Sequence, residues 1–189
     1  MSSDNFQHAN DTIVAAEHIT KRCVEDGIRV NHRVIYLALL FHDAGFVEDH
    51  VPRGFESKEA YSADLATARL RQHGVPTRTI EKVAAAILST HIDANFVTVE
   101  QQAVRAAELS GLGTDYETFW RNTANLKTEH ELFYATTLSW SESVGNASRT
   151  VRFYLSQEIG LTSYFITKLC EPAFHQVVRG NLERLLDER

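Results

Sequence analysis

His42 and Asp43 stand side by side at the end of eight consecutive apolar residues, Val34 to Phe41. A run that long and uniform is too greasy for one face of a surface helix, so it is expected inside the protein with neighbours on all sides. An imidazole and a carboxylate carried by a buried helix, just before Gly45, cost free energy unless something compensates them. A divalent cation suits both. Adjacent helical residues diverge by about 100°, so the pair can share an ion only where it lies between their directions and other helices complete its coordination. Three further segments bear on this. In Asn5-Phe6-Gln7-His8-Ala9 a histidine lies at the head of a helix, in Ser89-Thr90-His91 one closes an apolar helix, and in Ala107-Glu108-Leu109 an acid interrupts an apolar face.

The elements that must position these residues are expected to be helical throughout. Only Pro52, Pro76 and Pro172 interrupt the chain, and apolar spacings of three and four dominate between them. A first helix is expected at about 5–25, with Ile13, Val14, Ile19 and Val24 inward and Gly27 stopping it. Asn31 suits the N-cap of the buried helix. A loop is expected at 46–56, then a helix at about 57–72 carrying Ala60, Ala63, Leu65, Ala66 and Leu70 and ended by His73-Gly74. Thr77 opens the next, whose Ile80, Val83, Ala84 and Ile87 lead to His91. Thr98 and Gln101 form a capping-box pattern for the helix holding Val104, Ala107, Glu108 and Leu109, which Gly111 and Gly113 break. Further helices are expected at about 116–125, 128–144, 148–158 and 172–186, with Thr128 and Glu131 as a second capping box. Trp120, Phe133, Tyr134, Trp140, Phe153, Tyr154, Tyr164 and Phe165 recur at helical intervals and are expected in the core.

Composition narrows the class. With 43% hydrophobic and 23% charged residues the chain is ordinary globular protein, not disorder. A net charge of -6 argues against sequence-independent nucleic-acid binding, which needs a basic surface. It leaves a small phosphorylated substrate open. The two cysteines, Cys23 and Cys170, lack metal-type spacing and are expected as reduced, buried thiols. No apolar run approaches ~20 residues and no signal-like start is evident, so a cytoplasmic protein without a membrane span is expected.

Taken together, the residues resemble the HD superfamily of metal-dependent phosphohydrolases, whose pattern is a histidine, then His-Asp on a buried helix, then a distant aspartate. Asn5-Phe6-Gln7-His8 is similar to the Asn-x-x-His motif of the first metal-binding helix, and Leu39 to Phe46 to the central motif. Glu59-Ala60-Tyr61-Ser62-Ala63 is similar to a Glu-x-x-Ser-Ala segment, Ile87 to His91 to a segment ending in His or Lys, and Val104 to Gly113 to the last metal motif. The departures are Glu108 where that motif carries aspartate, Lys58 where relatives often place a histidine, and Ser3-Asp4 in place of a tyrosine and a histidine. His18, 24 residues before His42, is a second candidate for the first ligand, because the ppGpp-hydrolase branch places its histidine at about that interval. Glu48-Asp49-His50 reads as a solvated acidic loop, and His32, His73, His130 and His175 as helix-end or surface residues.

The resemblance implies an all-α, single-domain helical bundle of the HD-domain type over 1–189, with a metal-binding core at about 5–113 and C-terminal helices at about 115–187 packed on it. It implies one divalent ion held by His8, His42, Asp43 and Glu108. Two imidazoles and two carboxylates suit Mn²⁺, Fe²⁺, Zn²⁺ or Mg²⁺ without choosing among them. The competing reading of Glu108 is a partly buried acid paired with Arg105. The implied reaction is attack of activated water on phosphorus in a phosphoester or phosphoanhydride, with Asp43 orienting or deprotonating the water. Lys58, His91 and Arg53 are the candidates to balance phosphoryl charge, and Glu59 to hold a ligand imidazole in one tautomer. The expected partner is a small phosphorylated substrate such as a nucleotide, with no nucleic acid and no membrane; a homodimer stays open. Two other readings remain: a non-catalytic regulatory domain with a partly degenerate site, and a bundle whose histidines are structural.

Overall fold

The computed structural model describes residues 3–46, 48–166 and 170–188. They form eight α-helices and two short 3-10 segments, with no β-strand among the described residues. The chain divides into two compact units, Met1–Glu108 and Leu109–Arg189.

The first unit holds α1 (Ser3–Glu25), α2 (His32–Phe41), α3 (Lys58–Gln72), α4 (Thr77–Leu88) and α5 (Val99–Glu108). α2 lies against α1, α3, α4 and α5, which explains a segment almost without polar side chains. Val34, Ile35, Ala38 and Leu39 are wholly buried, and each larger one contributes roughly 1.5–3 kcal/mol. The expectation of burial on all sides is corrected at Leu40, which is 52% exposed. Asn31 caps α2 as expected, its side chain accepting from the Val34 amide at 3.3 Å. Gly27 ends the α1 turn in the left-handed region at φ +73. That conformation favours glycine.

α1 corrects the expected face. Val14 and Val24 are exposed, and the inward stripe is Thr12, Ala16, Ile19, Thr20 and Cys23. Most of that stripe is small or hydroxylated, and the Thr12 and Thr20 hydroxyls are satisfied on the Ala9 and Glu17 carbonyls of the same helix, so a search for branched apolar residues passes over it. In α4 the buried residue is Ala86 rather than the half-buried Ala84. The Thr98–Gln101 box forms at the head of α5: the Gln101 amide donates to Thr98 Oγ1 at 3.2 Å and Gln101 Oε1 accepts from the Thr98 amide at 2.9 Å.

The second unit opens with the 3-10 segment Leu109–Gly113, followed by α6 (Tyr116–Tyr134), α7 (Trp140–Leu155) and α8 (Ala173–Asp187). α6 runs through the expected break at 126–127. Thr128 is no cap there; its hydroxyl donates to the Ala124 carbonyl inside the helix. The capping box lies instead at Ser139 and Glu142, heading α7. Glu131 serves the turn between them, accepting from Lys127 Nζ at 2.7 Å and from the Leu138 amide at 2.8 Å. Asn181 on α8 donates to the carbonyls of Leu112 and Thr114, at 3.1 and 2.9 Å. The expectation of an aromatic core holds for Phe165 and fails for Tyr134, Trp120 and Phe153, which are exposed; the Phe133 side chain lies outside the described residues. Cys23 is buried as expected, while Cys170 is exposed.

Candidate metal centre

His42 occupies the C-cap of α2, so the helix ends at the point where its imidazole is delivered. Its Nδ1 lies 2.7 Å from the Leu39 carbonyl oxygen, which can only accept. That bond assigns the proton to Nδ1 and leaves a lone pair on Nε2. Two other ligand-type atoms face it. His8 Nε2, from α1, lies 3.3 Å from His42 Nε2, and Asp43 Oδ2 lies 3.4 Å from His42 Nε2 and 3.7 Å from His8 Nε2.

These three edges test whether an ion fits. Ligand atoms about 2.0–2.2 Å from one ion at tetrahedral angles stand about 3.3–3.6 Å apart. Two edges of the triangle fall within that spacing and the third, 3.7 Å between His8 and Asp43, lies just beyond it. His42 Nε2, on a side chain only 2% exposed, and Asp43 Oδ2 are acceptors facing each other, an arrangement that a cation, or a proton on His8 Nε2, compensates. His8, His42 and Asp43 would therefore hold the ion, and among the described residues they form the one such group.

The charges suit that role. Burial pushes the His8 pKa below its usual 6.5, helped by the neighbouring His42 and opposed by Asp43. Burial alone would raise the Asp43 carboxyl, but His42, Lys58 and His8 outweigh it and hold the group below the ordinary carboxylate range. At neutral pH His8 is therefore an uncharged imidazole and Asp43 a carboxylate.

α3 braces the turn that carries the pair. The Gly45 amide donates to Ser62 Oγ at 3.0 Å, and a Cβ built on Gly45 would come within 2.6 Å of the Tyr61 ring. Only glycine permits that approach. The Tyr61 hydroxyl donates to Glu48 at 2.9 Å, and Arg53 pairs with the same Glu48 and lies over the Tyr61 ring. Lys58, at the head of α3, places Nζ 3.5 Å from Asp43 Oδ1 and 4.8 Å from the centre of the Phe46 ring.

Of the residues expected at the site, the structure gathers His8, His42 and Asp43, with Lys58 on the outer oxygen of Asp43. Glu108 does not join them: neither of its oxygens lies within 4.8 Å of all three ligand atoms. It accepts instead from Arg105 at 3.1 Å. Burial raises the Glu108 pKa against the opposing charges of Arg105 and His42. The tautomer of His42 is held by Leu39, not by Glu59, which is buried with Lys58 Nζ 3.9 Å away. The His91 ring accepts from the Asp93 amide at 3.3 Å and stands outside the group. Arg53 is engaged with Glu48, as above. His18 is exposed and also outside the group. The Asn5 side chain lies outside the described residues.

Sequence reasoning gave Arg105 only a partner's part, yet it is wholly buried. It donates to the carbonyls of Thr90 at 2.8 Å and Ile92 at 3.4 Å as well as to Glu108. An arginine inside the apolar row Val104-Arg105-Ala106-Ala107 was the available signal. No family model, no curated protein and no solved structure matches the chain.

Proposed function

We propose that this chain is a metal-dependent phosphohydrolase of the HD type, cleaving a phosphoester or phosphoanhydride of a nucleotide or other small phosphorylated metabolite. The observation that carries the reading is the His8–His42–Asp43 triangle, with its 3.3–3.7 Å edges and a His42 tautomer that turns a lone pair inward. A divalent ion bound there supplies a Lewis acid for a phosphoryl oxygen and lowers the pKa of water. The chain's own residues do the rest. Asp43 divides its oxygens, Oδ2 toward the imidazoles and Oδ1 toward Lys58. A carboxylate held below its ordinary range is a weak base, so Asp43 orients the attacking water by accepting its hydrogen bond rather than keeping its proton. Lys58, 40% exposed beside the group, contributes positive charge for the phosphoryl oxygens.

A non-catalytic regulatory domain is the second reading, and the exclusion of Glu108 from the group favours it. The separating experiment incubates the full chain with Mn²⁺, bis-p-nitrophenyl phosphate and a panel of nucleotides and phosphometabolites, with Asp43→Ala as the blank. Hydrolysis well above the blank is expected. Wild type that holds its ion but cleaves nothing faster than Asp43→Ala would transfer the assignment to the regulatory reading.

A further inference from the structure

Tyr61 meets the chain between α2 and α3 at four points. Its ring stands so close to Gly45 that a Cβ there would come within 2.6 Å of Cδ1, and the next residue on α3, the wholly buried Ser62, accepts from the Gly45 amide at 3.0 Å. The Tyr61 hydroxyl donates to Glu48 Oε2 at 2.9 Å. Arg53 pairs with that same oxygen and holds its Cζ 5.3 Å from the ring centre, and the centre of the Phe55 ring is 5.0 Å away. Gly45 belongs to the turn that delivers His42 and Asp43, whereas Glu48, Arg53 and Phe55 belong to the loop that follows it. One side chain, 5% exposed, touches both.

These contacts differ in strength. Glu48 and Arg53 are 43% and 54% exposed, and an ion pair so open to water contributes little. The ring is the buried part, packed where only glycine fits, so the ring carries the connection and the hydroxyl refines it. We propose that Tyr61 is a positioning residue that couples the metal centre to the loop 48–55: its ring fixes the turn bearing His42 and Asp43, and the same ring, with the hydroxyl on Glu48, fixes the loop. This rests on the metal-centre reading above. Coupling of this kind is reciprocal. Whatever holds the loop steadies the ligands, and an ion on the ligands steadies the loop. The loop has its own reporters, the Arg53 and Phe55 amides bonded to the His50 carbonyl at 3.1 and 3.2 Å and the Gly54 amide bonded to the Val51 carbonyl at 3.0 Å.

The test follows Mn²⁺ affinity by calorimetry, and amide exchange at Arg53, Gly54 and Phe55 with and without saturating Mn²⁺, on the full-length chain. In wild type Mn²⁺ should slow exchange at these amides by about fivefold or more, the low end of ordinary coupling between sites. Tyr61→Leu stays apolar but lacks the ring; its Mn²⁺ affinity should fall by about fivefold or more, and Mn²⁺ should no longer slow exchange in the loop. Tyr61→Phe keeps the ring, so its affinity should stay within about threefold of wild type and its protection by Mn²⁺ should persist, while the ion-free loop exchanges faster. Leu70→Ala, at another buried position of α3, controls for lost stability: its unfolding midpoint should drop with Mn²⁺ affinity and loop protection retained. Wild-type affinity in Tyr61→Leu, or Mn²⁺ protection that is absent from wild type or survives loss of the ring, would overturn the proposal, as would a loss of affinity in Leu70→Ala equal to that in Tyr61→Leu. Wild type that binds no Mn²⁺ would sink the metal-centre reading, and this inference with it, before any variant is compared.

Discussion

At the residue scale, the site depends on which atoms carry protons. His42 gives its one hydrogen to the Leu39 carbonyl, so His42→Ala should abolish metal retention, while His18→Ala, on an exposed position outside the group, should leave it intact; metal analysis of the purified variants checks both. The pH dependence follows from His8. Its pKa is pushed below 6.5, so protons compete for Nε2 only in acid. Retention should be flat around neutrality and fall once the pH drops below 6.5 toward the lowered value. Equilibrium dialysis across a pH series would expose the opposite trend, weaker binding as pH rises. The adjacent His42-Asp43 pair was legible from residue type at the end of an apolar run, and His8 rather than His18 from its similarity to an Asn-x-x-His motif; the three side chains do lie together. Glu108 also has the residue type of a ligand, but its contact with Arg105 at 3.1 Å, outside the group of His8, His42 and Asp43, depends on how α5 packs and is not written in residue type.

At the scale of elements, two contacts decide how firmly the centre is held. Gly45→Ala would push a methyl group to 2.6 Å from the Tyr61 ring, an overpacking that should cost about 1–3 kcal/mol, read by denaturant unfolding. The change should also weaken the Gly45–Ser62 bond that ties α3 to the His42-Asp43 turn. Arg105→Ala takes the cation from Glu108 and a donor from each of the Thr90 and Ile92 carbonyls. Breaking a buried pair from one side costs about 3–5 kcal/mol, so the same assay should place this variant as the less stable of the two. Helix starts were readable where a cap sits beside a polar break, as at Asn31 and Thr98. They were not readable at Thr128, because nothing between Asn125 and Thr128 forbids continuing α6, and a threonine there satisfies its hydroxyl on the preceding turn. The inward face of α1 was hidden because it buries Thr12, Ala16 and Thr20, which carry little or no hydrophobic signal.

At the scale of the whole molecule, all three proposed ligands belong to the unit Met1–Glu108. Asn181, in the other unit, anchors the Leu112 and Thr114 carbonyls. Asn181→Ala should lower the stability of that unit by about 1–3 kcal/mol and leave the metal stoichiometry of the chain unchanged. Calorimetric melting and metal analysis on one preparation would separate the two effects. The all-helical class was legible from the apolar periodicity and the scarcity of proline. The exposure of Trp120, Tyr134 and Phe153 was not, since periodicity reports that residues share a face and not what covers it. Among the described residues no helix is long and apolar enough to cross a membrane.

The most direct test of the shared ion is the divalent-metal content of purified full-length protein, measured by elemental analysis for wild type, His8→Ala, His42→Ala and Asp43→Ala. Near-stoichiometric metal in wild type and its loss in each variant is the predicted result. Metal-free wild type after reconstitution with Mn²⁺, Fe²⁺ or Zn²⁺, or variants that bind as much as wild type, would contradict it.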